Sequence, residues 1–167
     1  SAIVNLSAVP GGRLGGLSAT IRVGQLAAAQ TMTAAPLASA AAAVGEGTLT
    51  LTVGTQTKTI TIDSTNNTLA GLAKAIKDSG IGVTASVITD SNGARLVVKG
   101  QTGTDNAFSL TQASGDPAGL GRFTYDPLTY DEDNVTGLTL QQEAQNAEVE
   151  VDGVAVSKSS NSFSDVI

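Results

Sequence analysis

The 167-residue chain carries a formal charge of −6 and is 41% hydrophobic, which is enough apolar content to build one ordinary domain or two small ones. Histidine and cysteine are absent, which removes the groups on which most nucleophilic catalysis and most zinc, haem and iron–sulfur sites depend. The nine Lys and Arg residues are scattered along an acidic chain, which argues against nucleic-acid binding. We therefore expect no enzyme activity, and no catalytic, cofactor-binding or metal-binding residues.

The core must be built from small side chains, because aromatic residues make up only 3% of the sequence and Trp is absent. Ala, Val, Leu and Ile accompanied by many Thr and Ser residues favour thin, pleated β-structure over a deep catalytic cleft. No apolar stretch approaches the roughly 20 residues of a membrane-spanning helix, and no signal peptide opens the sequence. We therefore expect no membrane insertion.

The first predicted element is a strand within residues 18–33. Ile21 and Val23 alternate with polar neighbours, and the pattern then continues into an Ala-rich stretch. The polar Gln30 near the end of this stretch indicates that the chain emerges at the surface there.

Residues 34–44 are predicted to form a connector. Their Ala content would suit a helix, but Pro36 and the flanking Gly45 and Gly47 disfavour one. The connector predicts a domain boundary at residue 44.

Strict alternation begins at residue 48 and predicts a half-buried strand. Leu49, Leu51 and Val53 face inward while the intervening Thr residues face outward. A turn at residues 54–56 then leads into a return strand with Ile60 and Ile62 inward, which completes a hairpin.

The hydrophobic period changes from two to that of a helix after residue 67, predicting an amphipathic helix over about residues 68–79. Asn67 or Thr68 is the predicted N-cap, and Gly80 is placed just past the end. The apolar stripe could be a partner-binding face, but at this spacing a core-facing helix is preferred. Its members are Leu69, Leu72, Ala73 and Ile76.

Three more short strands are predicted to complete an α+β unit of mainly antiparallel pairing. Residues 83–87 and 96–98 flank Asp90-Ser91-Asn92-Gly93, a strong hairpin signal. Phe108 and Leu110 indicate a further short strand.

Residues 115–143 lack periodicity and predict a long loop, with a possible short strand at residues 138–140. A final hairpin follows, in which residues 148–151 and 154–157 flank an Asp152-Gly153 turn.

The acidic run Asp131, Glu132, Asp133 with the adjacent Asn134 is the best candidate for a ligand site, because calcium loops use such oxygen ligands. An EF-hand needs Gly at its sixth position and Glu at its twelfth. Counted from Asp131, those positions hold Thr136 and Gln142. We therefore favour a solvated acidic loop.

Two other patterns have both a functional and a structural interpretation. Tyr125 and Tyr130, close to Asp126 and Asp131, could contact a glycan, although a surface loop held by aromatic burial is preferred. The glycine-rich run at residues 11–16 lacks the strand, helix and Lys-Ser/Thr context of a phosphate-binding loop, so we predict a flexible turn.

Three regions of the sequence carry a family resemblance. Residues 47–98, with alternating Thr and Leu followed by Asn67-Thr68-Leu69-Ala70-Gly71-Leu72-Ala73, resemble the hook IN motif of flagellar axial proteins. Residues 147–161 with Asp165-Val166-Ile167 resemble the start of the C-terminal region of the flagellar filament cap family, hook-associated protein 2. Val23 to Gln30 resembles the Gln-Leu-Ala-rich strand of that family, in the same order and spacing.

The resemblance implies a mainly β (β/α+β) fold with one short helix, arranged as two β-rich head domains with the second inserted into the first. Residues 1–44 plus 146–167 would form the split head domain, truncated at both ends. Residues 45–145 would form the inserted α+β head domain with the hook IN motif. Because heptad-rich helical legs are absent at both ends, we expect the head alone.

The function implied by the resemblance is structural capping and assembly at the distal end of the bacterial flagellar filament. Such a module would assist flagellin folding and placement, as an extracellular protein exported by the flagellar type III route without a cleaved signal. The implied partners are flagellin and further copies of the cap subunit in a homo-oligomer. Alternatives are an adhesion module that contacts host mucin or glycans, the head of another flagellar axial protein, or an exported polysaccharide-active enzyme.

Overall fold

A computed structural model describes residues 20–112 and 119–163. These residues contain ten strands, one α-helix and two short 3₁₀ turns. The helix α1 spans Leu69–Asp78. The strands are β1 (Ile21–Gln25), β2 (Ala29–Thr33), β3 (Gly47–Val53), β4 (Gln56–Ile62), β5 (Thr84–Asp90), β6 (Gly93–Thr102), β7 (Phe108–Gln112), β8 (Thr139–Gln142), β9 (Ala147–Val151) and β10 (Val154–Lys158).

The described strands form three antiparallel sheets, ordered β1-β9-β10, β5-β6-β2-β8 and β4-β3-β7. The predicted fold class, mainly β with a single helix, is confirmed. The second and third sheets share one apolar core with α1, and the first sheet stands beside them.

The β3–β4 hairpin follows directly from the alternation in its sequence. Leu49 and Leu51 have no exposed surface, and Leu49 lies opposite Ile60 in the register. The intervening Thr side chains line the opposite face, where Thr50 lies opposite Thr59. This hairpin is confirmed as predicted, because a strand with one buried face fixes its own register.

The helix α1 is confirmed with the predicted ends. The Thr68 hydroxyl accepts a hydrogen bond from the Gly71 amide at 3.0 Å, and Gly80 adopts the left-handed conformation (φ 73°) just past the C-cap. The apolar stripe is buried against the sheets and contacts β4, β5 and β6. It is therefore a core-facing stripe.

The β5–β6 hairpin and the connector before β3 also follow the prediction. Ser91 and Asn92 form the two-residue turn between the hairpin strands. Residues 34–44 are not helical, and Leu37 exchanges two backbone hydrogen bonds with Ala94 (2.7 and 2.8 Å). A Cβ on Gly93 would lie 2.2 Å from the Leu37 carbonyl oxygen, so this close contact requires glycine.

The strand β2 departs from the prediction. The expectation that the chain emerges at the surface at Gln30 is wrong, because Gln30 is 3% exposed. β2 lies between β6 and β8, and the neighbouring Met32, Ala34 and Val44 belong to the core cluster shared with the strands of residues 45–145. By hydrogen bonding and packing, residues 29–44 therefore group with the predicted insert, although the connector at residues 34–44 had predicted a boundary at residue 44.

The side chain of Gln30 completes the edge of β7 inside the core. Along that edge, the backbone of Leu110 pairs with the backbone of Tyr125 (2.8 and 2.6 Å). At Phe108, two residues before Leu110, the Gln30 side-chain amide makes the hydrogen bonds that a neighbouring strand would make. Its Oε1 accepts from the Phe108 N–H at 2.7 Å, and its Nε2 donates to the Phe108 carbonyl at 3.0 Å. The second and third sheets are thereby linked by a buried polar contact.

The predicted loop at residues 115–143 contains core residues, which the sequence analysis did not foresee. Leu120 and Phe123 in a 3₁₀ turn have no exposed surface, and Leu138 is 1% exposed. The short strand expected at residues 138–140 is confirmed as β8, one residue further along the chain. Residues 113–118 lie outside the described part of the chain.

The final hairpin is confirmed by β9 and β10, whose turn residues Asp152 and Gly153 both have positive φ (49° and 86°). Such a turn matches the twist of the flanking strands. The strand β1 pairs with the other edge of β9. None of these three strands contributes to the large core cluster.

Replacing Gln30 with Leu is expected to lower the free energy of unfolding by roughly 2–4 kcal/mol, because both polar groups of Phe108 would be left buried and unpaired. Urea denaturation measures the change. The matched control is Gln141→Leu, since the exposed Gln141 amide contacts only the Thr33 hydroxyl in the described structure, and its expected cost is below about 0.5 kcal/mol. Equal stability of the two variants would contradict this role for Gln30.

Candidate functional site

The candidate site is the surface loop between the 3₁₀ turn at residues 120–123 and β8, which contains the acidic run and both tyrosines. Its base is fixed to the core. The backbone of Tyr125 pairs with Leu110 of β7, and the Leu138 N–H donates to the Thr124 carbonyl at 2.8 Å. A Cβ on Gly137 would lie 2.1 Å from that carbonyl oxygen, so only glycine allows the two ends of the loop to approach so closely.

The two tyrosines hold the loop against the sheets. Their rings meet edge to face with centroids 5.2 Å apart, a favourable aromatic geometry. The Tyr130 hydroxyl accepts a hydrogen bond from the Leu140 N–H of β8 at 3.1 Å, and Tyr125 packs against the core. The preferred interpretation of these residues, a loop held by aromatic burial, is confirmed.

The aspartates shape the loop through contacts with its own backbone. The Asp126 carboxylate accepts from the Leu128 N–H at 3.0 Å, and the Asp131 carboxylate accepts from the Asp133 N–H at 3.0 Å. Asp is common at such positions because its short side chain closes a turn on itself. The run 131–134 is exposed to solvent, as the preferred interpretation expected.

No group of three or more carboxylates that could hold a metal ion occurs among residues 20–112 and 119–163. That the whole chain holds no metal stays a prediction. The glycine-rich run at residues 11–16 lies outside the described residues.

A shallow groove of about 300 Å³ runs beside the tyrosine pair. Burial raises the pKa of Tyr125 above its ordinary value, and the negative charge of Glu143 adds to this effect. The groove lining offers hydroxyl, amide and carboxylate groups beside two aromatic rings, which suits contact with a polar ligand. The lining residues are Thr111, Gln112, Thr124, Tyr125, Asp126, Thr129, Tyr130, Asp131 and residues 134–138.

The sequence analysis missed Leu128, the most exposed large apolar residue in the described structure. It is 91% exposed at the tip of the loop, beside Pro127. The sequence contained a signal for this exposure, because a Leu that follows Pro within an acidic turn is not part of any buried apolar pattern. The loop therefore presents one apolar side chain in an acidic setting.

In the described part of the chain, no helix has the length and apolar character needed to cross a bilayer. The α-helix found in this part of the chain, α1, has ten residues and is amphipathic. The expectation of no membrane insertion otherwise stays a prediction.

Comparison with known families supports the first resemblance. The family model of the flagellin hook IN motif matches residues 48–102. In the structure this match runs from β3 through α1 to the end of β6, so it covers the helix and both hairpins of the predicted insert. The predicted hook IN motif is confirmed.

Comparison with curated proteins and solved structures extends the likeness. The chain is 38% identical over 113 residues to the B-type flagellar hook-associated protein 2 of Pseudomonas aeruginosa, an alignment that covers 64% of this chain and 24% of that relative. The crystal structure of the flagellar cap protein FliD D2-D3 domains from Escherichia coli is similar with a TM-score of 0.75 at 35% identity, covering 89% of this chain and 76% of that one. The corresponding domains from Serratia marcescens give a TM-score of 0.78 at 30% identity, covering 98% and 85%. The chain thus spans about a quarter of the length of its curated relatives.

The raised pKa of Tyr125 can be tested by spectrophotometric titration of the Tyr130→Phe variant, in which Tyr125 is the remaining tyrosine. Its midpoint is expected above 10.0, and Glu143→Gln should lower it. The pKa of Tyr125 is higher in the folded chain than in the unfolded chain. The contribution of this group to the free energy of unfolding is therefore complete below pH 10 and is lost as the pH rises through the folded pKa. A midpoint at or below 10.0 would show that the ring is solvated.

Proposed function

The chain belongs to the flagellar hook-associated protein 2 family of flagellar cap proteins, and from this membership we propose that it is the head region of a cap subunit at the distal end of a bacterial flagellar filament. One observation carries the proposal. The likeness to the solved D2-D3 domains of Serratia marcescens covers 98% of the chain at 30% identity, and so includes all three sheets. A shared short motif would have covered the hook IN region alone.

We further propose that this head assists flagellin folding and placement through contacts with flagellin and with other copies of the cap subunit. The described surface supports a binding role. Its most prominent loop presents Leu128 on a turn that is held by hydrogen bonds and by the tyrosine pair. Because the backbone of this turn is already held, little backbone entropy is lost when the turn binds a partner.

The domain arrangement is also a proposal. We infer that one head domain is split and that the second is inserted into it, as the sequence analysis expected. The pairing of β2 with β6 and β8 favours a first crossing at residues 26–28 in place of residue 44. The second crossing stays near residue 145, where Gln145 pairs with Ala28.

Extracellular location at the filament tip and export by the flagellar type III route are proposed from the family.

An adhesive role toward host mucin or other glycans is the alternative. The groove beside Tyr125 and Tyr130 supports it, since aromatic rings next to hydroxyl and carboxylate groups are suited to sugars. We also propose that the chain has no catalytic activity, because its sequence contains neither His nor Cys.

A chimaera tests the capping proposal. The matching region of the Escherichia coli hook-associated protein 2 would be exchanged for this chain in a strain that lacks its own copy. We expect exported chimaera at the filament tip and restored filament growth, scored by electron microscopy and swimming. The control carries Gln30→Leu, which leaves surface residues unchanged and destabilises the head. A chimaera that reaches the tip without restoring filaments would overturn the proposal.

The isolated chain is expected to be monomeric at low micromolar concentration. Copies with a formal charge of −6 repel at low salt, and the chain has no Trp and few other aromatic anchors for a tight interface. Sedimentation velocity over a concentration series measures this. A stable ring at low micromolar protein would show instead that the head drives cap assembly.

A further inference from the structure

The β1-β9-β10 sheet is joined to the rest of the described structure through a narrow junction. The chain leaves the sheet at residues 26–28 and returns at residues 144–146. These two crossings lie side by side, since Ala28 and Gln145 exchange both backbone hydrogen bonds (2.9 and 3.1 Å). The chain then passes the junction a third time at residues 159–161, after β10.

Among the described residues, the large apolar core does not extend into this sheet, although Ala27 and Ala147 at the junction are buried. The large core cluster draws its members from residues 32–138, and β1, β9 and β10 make at most marginal contacts with the other described strands and helices. Bodies joined by so small a contact are expected to move relative to one another. Within the described residues, any fixed orientation of the sheet must therefore come from the junction.

The Asn161 side chain acts at the junction as a neighbouring strand would. Its Oδ1 accepts from the Ala27 N–H at 2.7 Å, and its Nδ2 donates to the Ala27 carbonyl at 3.0 Å. Ala27 is 7% exposed, so its backbone groups are shielded from most of the solvent that would otherwise pair with them.

Further side-chain amides bind among the crossing segments of the same junction. Gln145 Nε2 donates to the Leu26 carbonyl at 3.0 Å, and Gln25 Nε2 donates to the Asn146 carbonyl at 2.8 Å. The larger body is the part formed by the other two sheets and α1. Asn146 contacts both this body and the β1-β9-β10 sheet, because its Oδ1 accepts from the Thr104 N–H at 3.0 Å and its Nδ2 donates to the Ser157 hydroxyl of β10 at 3.3 Å.

The third passage is closely packed against the larger body at Gly103. A Cβ on Gly103 would lie 2.5 Å from the Ser159 Cβ, and Gly103 has a positive φ of 98° that disfavours other residues. The Gly103 N–H also donates to the Ala28 carbonyl at 3.2 Å. The junction is thus held by backbone contacts at Gly103 and by the hydrogen bonds of the amide side chains.

We propose that the side chains of Gln25, Gln145, Asn146 and Asn161 form an amide clamp that fixes the orientation of the β1-β9-β10 sheet relative to the larger body. The two bodies then move as one rigid unit, and Asn161 and Asn146 are its positioning residues. Because the four side chains are neutral, the clamp itself loses nothing to screening by salt. The inference concerns the junction alone and stands whether or not the chain caps a filament.

Distance measurements between paired spin labels test the clamp, and the absence of native Cys makes the labelling specific. One label pair spans the junction, on the exposed Ala155 and Thr59. A second pair lies within the larger body, on Thr59 and Ser86, which are also exposed. We expect the parent chain to give one narrow distance distribution for each pair. The Asn146→Ala/Asn161→Ala variant should lose the narrow peak across the junction and keep the one within the body.

Two further variants sharpen the test. Asn161→Asp keeps the acceptor for the Ala27 N–H but loses the donor to its carbonyl, so it should broaden the peak across the junction to a smaller extent. Gln141→Ala removes an amide outside the junction and should change neither distance. An unchanged peak across the junction in the double variant would overturn the proposal. If the double variant also loses its peak within the larger body, the Asn161→Asp variant is used in its place. An unchanged peak across the junction in that variant would then overturn the proposal.

Hydrogen exchange gives an independent measurement on the intact chain. The Ala27 N–H should be protected in the parent and should exchange faster in Asn161→Ala, while the Leu72 N–H in α1 keeps its protection. Equal exchange at Ala27 in both proteins would overturn the role of Asn161. Because these measurements use the isolated chain, they can fail without affecting the capping proposal.

Discussion

The fold depends on one constraint: backbone N–H and C=O groups that are buried where a strand ends must still find partners. Side-chain amides meet this requirement at two places. Gln30 pairs with both polar groups of Phe108 between two sheets, and Asn161 does the same for Ala27 at the junction of the two bodies. A primary amide is suited to this because it carries a donor and an acceptor with the spacing of a peptide group.

The same constraint accounts for the polar groups of the candidate site. In the acidic run that suggested a calcium loop, the Asp131 carboxylate closes its own turn by accepting from the Asp133 N–H. Asp126 does the same with the Leu128 N–H. The tyrosines that suggested a sugar platform are packed edge to face and hold the loop in place. What the loop leaves free is Leu128, on a rigid turn at the surface. Such a feature is consistent with a head that acts through contacts with other proteins.

Features that depend on neighbouring residues were predicted correctly from the sequence, and features that depend on distant pairing were not. The hairpins and α1 were predicted correctly because their periods and their turn or cap residues lie within a few positions of each other. Gln30 was placed at the surface because polarity alone suggested it, whereas its partner Phe108 lies 78 residues away. At the candidate site, the anchoring role of Tyr130 was anticipated from its type, but the exposure of Leu128 was not.

Alternation, capping residues and turn residues in the sequence by themselves determined the helix, the hairpins and the mainly β class, because these depend on which side chains share a face over a few residues. Only the tertiary structure decided that β2 lies between β6 and β8, that Leu120, Phe123 and Leu138 enter the core, and that amides join the two bodies. These features depend on which distant backbone groups are left unpaired once the sheets have formed. That information arises from packing, and no local pattern in the sequence records it.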